Sequence, residues 1–251
     1  MSEGVVLLTG ACGLIGESLV NGLKKEKYKL VLIDSNKAKV EELKTKFSKD
    51  DFLILNADIL NKNSLDLCIN KAHKKFGKID CAIHAAYPKS EGWGTKFEDL
   101  KENFLMEDIQ NQLGLSIIFS QKIIKYFLRQ GYGNLIHFSS IQGISAPKFE
   151  HYEGTTMSSP IEYSAIKAGI ISITRYLSKY YKNKNLRINC ISPGGIYNNQ
   201  PQKFLNNYKK SCNSKGLLNK KDIIGTVLFL ISENSQFING QNIVVDDGWS
   251  L

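Results

Sequence analysis

Arginine is scarce in this chain. Of the 33 basic residues in 251, only Arg129, Arg175 and Arg187 are arginine, although the formal net charge is +9. Base reading and bidentate phosphate contacts favour the guanidinium fork. A positive charge carried almost wholly by lysine therefore argues against a nucleic-acid partner, and it suits attraction of a small anionic substrate. Cysteine offers no framework either. Cys12, Cys68, Cys81, Cys190 and Cys212 are odd in number, scattered, and contain no C-x-x-C pair. That excludes an evident zinc site or disulfide network and fits reduced thiols in a cytoplasmic protein. No apolar run approaches a membrane span. The start, MSEGVVLLTG, has no basic region or long apolar stretch, so it does not read as a signal peptide. No metal-ligand set, internal repeat, low-complexity segment or linker is visible.

What the chain has instead is alternation. Short apolar runs at 4–10, 28–35, 51–59, 79–86, 134–140 and 186–192 read as strands. Helical patterns lie between them, among them 13–27, 36–48 and 63–77. The strands are continuous in Val, Ile and Leu rather than strictly alternating, as expected when both faces of a parallel sheet are covered. Strand–helix alternation with right-handed crossovers predicts an α/β fold. The expected form is one domain over residues 1–251, a doubly wound parallel sheet (Rossmann fold) of about seven strands with helices on both faces. The polar stretch near 146–160 is the candidate functional loop.

TGACGLIG, Thr9 to Gly16, sits between the first strand and its helix. Gly10, Gly13 and Gly16 permit a tight turn and close approach of a pyrophosphate. The helix N-terminus supplies free N–H groups and a favourable dipole. The position, after a strand and opening a helix, gives the glycine pattern its meaning. Asp34 ends the second strand, 24 residues after Gly10. A carboxylate there accepts from the adenosine ribose hydroxyls and repels a 2′-phosphate, which favours NAD over NADP; Lys37 nearby would blunt that preference. Asp58, after the third strand, is placed to meet an adenine amino group.

YSAIK puts Tyr163 four residues before Lys167, on one helical face. Tyr180 and Lys184 share that spacing, so spacing alone does not choose. Surroundings do. TGACGLIG, Asp34, NADI, HFSSIQG, YSAIKAG, RINCISPGG and INGQNIVVDDGW follow one another in the order of the short-chain dehydrogenase/reductase family, which the chain resembles over nearly its whole length. In that pattern Ser140 and Gly143 match Ser-x-x-Gly, leaving Ser139 as a neighbour. Tyr163 and Lys167 precede the small pair Ala168 and Gly169, whereas Tyr180 has no such setting. Ionising a free phenol at pH 7 costs about 4 kcal/mol, and a nearby ammonium and a positive nicotinamide ring favour the phenolate. The resemblance implies that Ser140 holds the substrate oxygen, Tyr163 exchanges its proton and Lys167 binds the nicotinamide ribose. It implies further cofactor contacts at Ile15, Ile59, Ala85, Ala86, Pro193, Gly194 and Ile196. The tail implies a homo-oligomer, dimer or tetramer.

The chain also departs from the family. Its glycine spacing is nearer the larger, extended branch. His84-Ala85-Ala86-Tyr87 stands where relatives often have Asn-Asn-Ala-Gly, and His84 is open between a cofactor contact and a structural strand-end histidine. The relay asparagine of relatives falls on Gln112, beside Asn111, and Asn198 replaces a frequent threonine. The gap between Ser140 and Tyr163 is long, and its extra segment carries Glu150, His151, Glu153, Thr155 and Thr156, a set open between contact with a polar, hydroxyl-rich substrate and a surface loop or subunit contact. That loop resembles the flagellin-modification oxidoreductases of bacterial sugar pathways, implying a sugar or sugar phosphate. A reductase of apolar carbonyl compounds and a non-catalytic NAD-binding scaffold are the alternatives.

Overall fold

The structure, a computed structural model, describes residues 4–47 and 50–251. The chain runs β1 (Val5–Thr9), α1 (Leu14–Lys25), β2 (Lys29–Asp34), α2 (Lys37–Lys46), β3 (Phe52–Asn56), α3 (Ser64–Phe76) and β4 (Cys81–His84). It continues through α4 (Glu102–Asp108), α5 (Leu115–Gln130), β5 (Gly133–Phe138), α6 (Ile161–Tyr180) and β6 (Leu186–Pro193). α7 (Gln202–Lys209), α8 (Ile224–Ile231) and β7 (Asn242–Val245) complete it. Each expected strand is present. The helix read from 36 to 48 starts with Asn36 as its cap, whose Oδ1 accepts from Lys39 N–H at 3.1 Å; its last residue, Ser48, lies outside the described residues.

The seven strands form one parallel sheet in the order β3-β2-β1-β4-β5-β6-β7. Side chains alternate across a pleat, so each strand feeds two cores. Val5, Leu7, Val31 and Ala82 pack on one face with Leu65 and Ile69 of α3 and Phe119, Ile123 and Phe127 of α5. Val6, Leu8, Leu30 and Ile83 pack on the other with Leu19 and Leu23 of α1 and Val227 and Leu230 of α8. This is the doubly wound fold expected from the alternation.

The chain moves outward from β1 to β2 and β3, then returns to lay β4 on the other side of β1. That reversal opens a crevice at the C-terminal strand ends, where such sheets bind ligands. Gly10 makes the turn possible. Its φ is +71°, and a Cβ there would lie 2.6 Å from the Ala85 carbonyl oxygen. Only glycine fits both the conformation and the approach.

Candidate active site

A cleft of about 870 Å³ runs along the C-terminal strand ends. It brings together the expected glycines of the first turn, Asp34, Asp58, Gln112, Ser140, Tyr163, Lys167 and the stretch from Pro193 to Ile196, but neither Lys37 nor the charged and threonine residues of the long loop. Its size suits a small-molecule or cofactor site.

The cofactor end is built mainly from backbone. Gly13 caps α1 without a side-chain hydrogen bond, so the first N–H groups of the helix stay free for an anion. Asp34 closes this end. Its Oδ2 accepts from Cys12 N–H and its Oδ1 from Asn36 N–H, both at 2.9 Å. These bonds fix the carboxylate while leaving lone pairs free. Asp58 Oδ1 accepts from Leu60 N–H at 2.9 Å, and Asp58 and Ile59 line the wall. The cation beside Asp34 in the lining is Lys39 rather than the expected Lys37. Lys39 Nζ donates to the Cys12 carbonyl at 3.2 Å and approaches Glu17 Oε1 at 3.4 Å. At the far side Ile196 makes a parallel bridge with Leu218 whose bonds use Gly195 O and Tyr197 N. The Ile196 N–H has no partner among the described residues. A free donor there and free N–H groups at α1 fit a dinucleotide with a nicotinamide carboxamide.

His84 belongs to the scaffold beneath the cleft. It is 6% exposed, its Nδ1 shares a 2.9 Å hydrogen bond with Thr9 Oγ1, and its ring stacks on Phe119. Burial holds it well below its ordinary pKa, with His137 and Lys167 pushing the same way. It is a neutral, structural strand-end histidine that also touches the cleft wall.

Ser140, Tyr163 and Lys167 meet where β5 and α6 pass. Gly143 lets them meet, because a Cβ there would lie 2.7 Å from the Lys167 backbone. Ser139 ties the same two elements, donating from Oγ to the Lys167 carbonyl at 2.7 Å. It is therefore a bracket, and Ser140 Oγ accepts from Gln142 N–H at 3.2 Å beside the cleft. Burial pushes the Tyr163 phenol up, a hydrogen bond with Ser140 pulls it back, and the neighbouring Tyr152 phenol pushes it up again. Lys167 Nζ lies 5.4 Å from the Tyr163 ring centroid and donates to the Phe138 carbonyl at 3.1 Å. Burial lowers its pKa to about 8. Tyr180 stands elsewhere, stacked on Tyr176 and 67% exposed, so the second Tyr–Lys match plays no part here.

Gln112 lies in a π-helical stretch, Ile109–Gly114, between α4 and α5. Such bulges recur at functional sites. It is 4% exposed and lines the cleft, and neither amide atom has a partner among the described residues. An unsatisfied buried amide costs about 1–3 kcal/mol, so a water or ligand atom is its natural partner.

The substrate end is aromatic, which the sequence did not show. Tyr87 and Trp93 each lie 5.9 Å from the Tyr163 ring, edge to face, and 5.4 Å from each other. Opposite them Tyr152, Phe204, Tyr208 and Trp249 form a second cluster with His151. The long loop turns a different set of residues inward than its polarity suggests. Glu150, Glu153 and Thr156 are exposed and outside the lining, while Tyr152, Met157, Ser158 and Ser159 line it. Thr155 Oγ1 donates to the Tyr152 carbonyl at 2.8 Å. His151 reaches the cleft but is 2% exposed and shares a 2.9 Å hydrogen bond with Ser211 Oγ. Gln142 joins the loop to Ser140, with Oε1 accepting from Ser159 Oγ at 2.8 Å and Nε2 near Tyr152 Oη at 3.4 Å. Asn198 is exposed at the rim. Of these aromatics only Tyr87 carried a signal, as the bulky residue where relatives have glycine.

A doubly wound sheet with a cleft at its switch point, free N–H groups at the start of α1 and Ser140, Tyr163 and Lys167 brought together in that cleft fit one class, the nicotinamide-dependent oxidoreductases acting on CH–OH groups. Within that class the chain belongs to the short-chain dehydrogenase/reductase family. The family model described as enoyl-(acyl carrier protein) reductase matches residues 10–250. The post-translational flagellin modification protein A of Campylobacter coli is 42% identical over 251 residues, covering 98% of each chain. The 7alpha-hydroxysteroid dehydrogenase of Bacteroides fragilis is 29% identical over 259 residues, covering 98% of this chain and 94% of that one. A short-chain dehydrogenase from Leptospira borgpetersenii serovar Hardjo-bovis, solved with bound NAD+, is similar with a TM-score of 0.88 at 30% identity, covering 99% of this chain and 93% of that one. No described helix is long and apolar enough to cross a membrane, and no described group of three His, Cys, Asp or Glu is poised to hold a metal.

Proposed function

We propose that this protein is an NAD-dependent dehydrogenase that interconverts a secondary alcohol and a ketone on a polar, sugar-derived substrate, in the cytoplasmic assembly of a bacterial surface or flagellar glycan. The observation that carries the reaction is the meeting of Ser140, Tyr163 and Lys167 in one cleft with the Gly13 helix N-terminus. The glycan setting rests on the 42% identity to a flagellin modification protein. Asp34, fixed at the adenosine end by two backbone N–H groups, supports NAD over NADP, since a 2′-phosphate would face its charge.

In this reading Ser140 Oγ donates to the substrate oxygen and holds it against Tyr163 Oη. Tyr163 takes the hydroxyl proton in oxidation and returns it in reduction. Lys167 turns from the Phe138 carbonyl to the cofactor ribose, where its charge favours the phenolate. Bound NAD supplies the hydride acceptor, and NADH the donor. Gln112 holds the water through which the proton leaves. Asp58, Ile59 and Ile15 flank the adenosine and pyrophosphate, and Pro193, Gly194 and Ile196 receive the carboxamide. Ala85 and Ala86 form the floor. The exposed apolar residues Ile117 and Ile118 of α5 support a homo-oligomer built on that helix.

The aromatic substrate end supports both sugar stacking and a second reading, a reductase of an apolar ring ketone, which the hydroxysteroid relative also favours. One experiment separates them. NADH formation is followed on a panel of sugars, sugar phosphates, steroids and simple alcohols, for wild type and Tyr163→Phe. The expected result is turnover with NAD on a polar substrate, reduced about 10²–10⁴-fold in the variant. Turnover confined to steroids selects the second reading. Tight NAD binding without turnover on any compound supports a scaffold instead.

A further inference from the structure

We propose that Lys89 pairs with an anionic substituent, a phosphate or a carboxylate, on the substrate, and so selects acidic sugars over neutral ones. The inference rests on the sugar-dehydrogenase reading and names the substrate class within it.

Three lysines line the cleft: Lys39, Lys89 and Lys167. Lys39 is held by the Cys12 carbonyl and Glu17, and Lys167 by the Phe138 carbonyl. Lys89 has no hydrogen bond or ion pair among the described residues. Its Nζ lies over two ring faces, 4.9 Å from the Tyr87 centroid and 6.0 Å from that of Trp93. The neighbouring carboxylate, Asp108, is buried and already accepts from Ser90 N–H at 2.8 Å and Ser90 Oγ at 2.7 Å. Those bonds anchor the segment that carries Lys89. A further clamp comes from Ser158, whose hydroxyl donates to the Gly94 carbonyl. Gly92 packs so tightly on Phe104 that a Cβ there would clash at 2.2 Å. The ammonium is thus presented by a fixed segment, solvent-reachable, one aromatic ring away from the Tyr163 phenol.

The two rings keep the charge where it is, since a cation over a ring face is attracted by the quadrupole. Partial burial against them pulls the Lys89 pKa down, so an arriving anion restores what desolvation removed. The cofactor cannot be that anion. Its phosphates belong at the Gly13 end of the cleft, beyond the catalytic group. An anion at Lys89 comes with the substrate.

The test compares kcat/KM with NAD on aldoses, ketoses and polyols, each beside its phosphate and its uronic or aldonic acid, for wild type, Lys89→Gln and Lys89→Glu. Wild type is expected to prefer the charged member. Lys89→Gln should cut the charged-to-neutral ratio about 10- to 100-fold, the worth of a charge-assisted hydrogen bond, mainly through KM, and Lys89→Glu should invert it. The phosphate and carboxylate arms tell which anion is read. A wild type that turns over sugars with no charge preference, or a ratio unchanged in Lys89→Gln, overturns the inference. If wild type turns over no sugar at all, the sugar reading fails, and the Lys89 site is judged by inorganic phosphate on the enzyme–NADH complex. Thermal protection by phosphate that is lost in Lys89→Gln upholds the site, and protection retained in the variant, or none in wild type, overturns it.

Discussion

The two ends of the cleft are built by different means. The cofactor end uses main-chain groups at the ends of β1, β2 and β3, with Asp34 as its main polar side chain. Its geometry follows from strand ends and one helix N-terminus, features that any doubly wound sheet supplies. The substrate end is made of side chains, with Tyr87, Trp93, Tyr152, Phe204 and Trp249 arriving from four separate stretches. Backbone geometry binds a constant ligand, and side chains can be exchanged without disturbing the sheet. The difference explains how one scaffold keeps its cofactor while changing its substrate.

The largest expected break in that comparison comes from adding one methyl group. Gly10→Ala puts a Cβ 2.6 Å from the Ala85 carbonyl at a φ of +71°. Strain of about 1–3 kcal/mol should weaken NADH, titrated by its fluorescence, by up to about 100-fold. Tyr152→Phe removes a hydroxyl at the other end and should leave NADH affinity alone while raising the substrate KM about 2- to 10-fold. If Tyr152→Phe weakened NADH as much as Gly10→Ala does, the two ends would not be separable.

A middle-sized effect concerns Lys167, which stands between the ends. Its folded pKa of about 8 lies below its ordinary 10.5 because of burial. Between those values the unfolded chain holds a proton that the folded chain has released. Stability from this group therefore rises as pH rises from about 8 towards 10.5, and below 8 the buried ammonium is charged at full cost. Buried tyrosines and cysteines with raised pKa values oppose this at high pH, so the informative quantity is the difference between wild type and Lys167→Met. Urea unfolding at pH 7.5 and 9.5 should show wild type gaining on the variant. Parallel curves at both pH values would place the ammonium in water. Saturating NADH should shrink the gain, because the ribose replaces lost hydration.

The candidate residues that line the cofactor end were almost all legible in the sequence, for a physical reason. Gly10, Gly13, Gly16 and Asp34 act within one strand–turn–helix unit and the next strand, so their meaning is local. Ser140, Tyr163 and Lys167 were legible through motif order, and the structure adds why, in the Gly143 contact with the Lys167 backbone and the Ser139 bracket. The substrate end was not legible. A loop has no 3.6- or 2-residue period to say which side chains turn inward, so polarity pointed to Glu150 and Glu153 when Tyr152 and Ser159 face the cleft. Trp249 stacks on Tyr208, 41 positions away in the sequence, and nothing local predicts that partnership.

The smallest expected effect is the sharpest check on the cofactor end. Lys37 and Lys39 differ by two positions at the start of α2, about 200° around the helix, so they point in nearly opposite directions. Lys39 lines the cleft beside Asp34 and is held by Glu17 and the Cys12 carbonyl, whereas Lys37 is outside the lining. If backbone geometry and Asp34 decide between NAD and NADP, Lys37→Ala should leave the NAD-to-NADP ratio of kcat/KM within about twofold, as surface charges separated by solvent do little. Lys39→Ala should move it towards NAD by about 2- to 5-fold, because it removes the cation that lines the cleft beside Asp34, where a 2′-phosphate would need one. A larger shift from Lys37 than from Lys39 would mean that α2 turns its first residues differently when NAD is bound, and the adenosine wall would then owe as much to mobile side chains as the substrate end does.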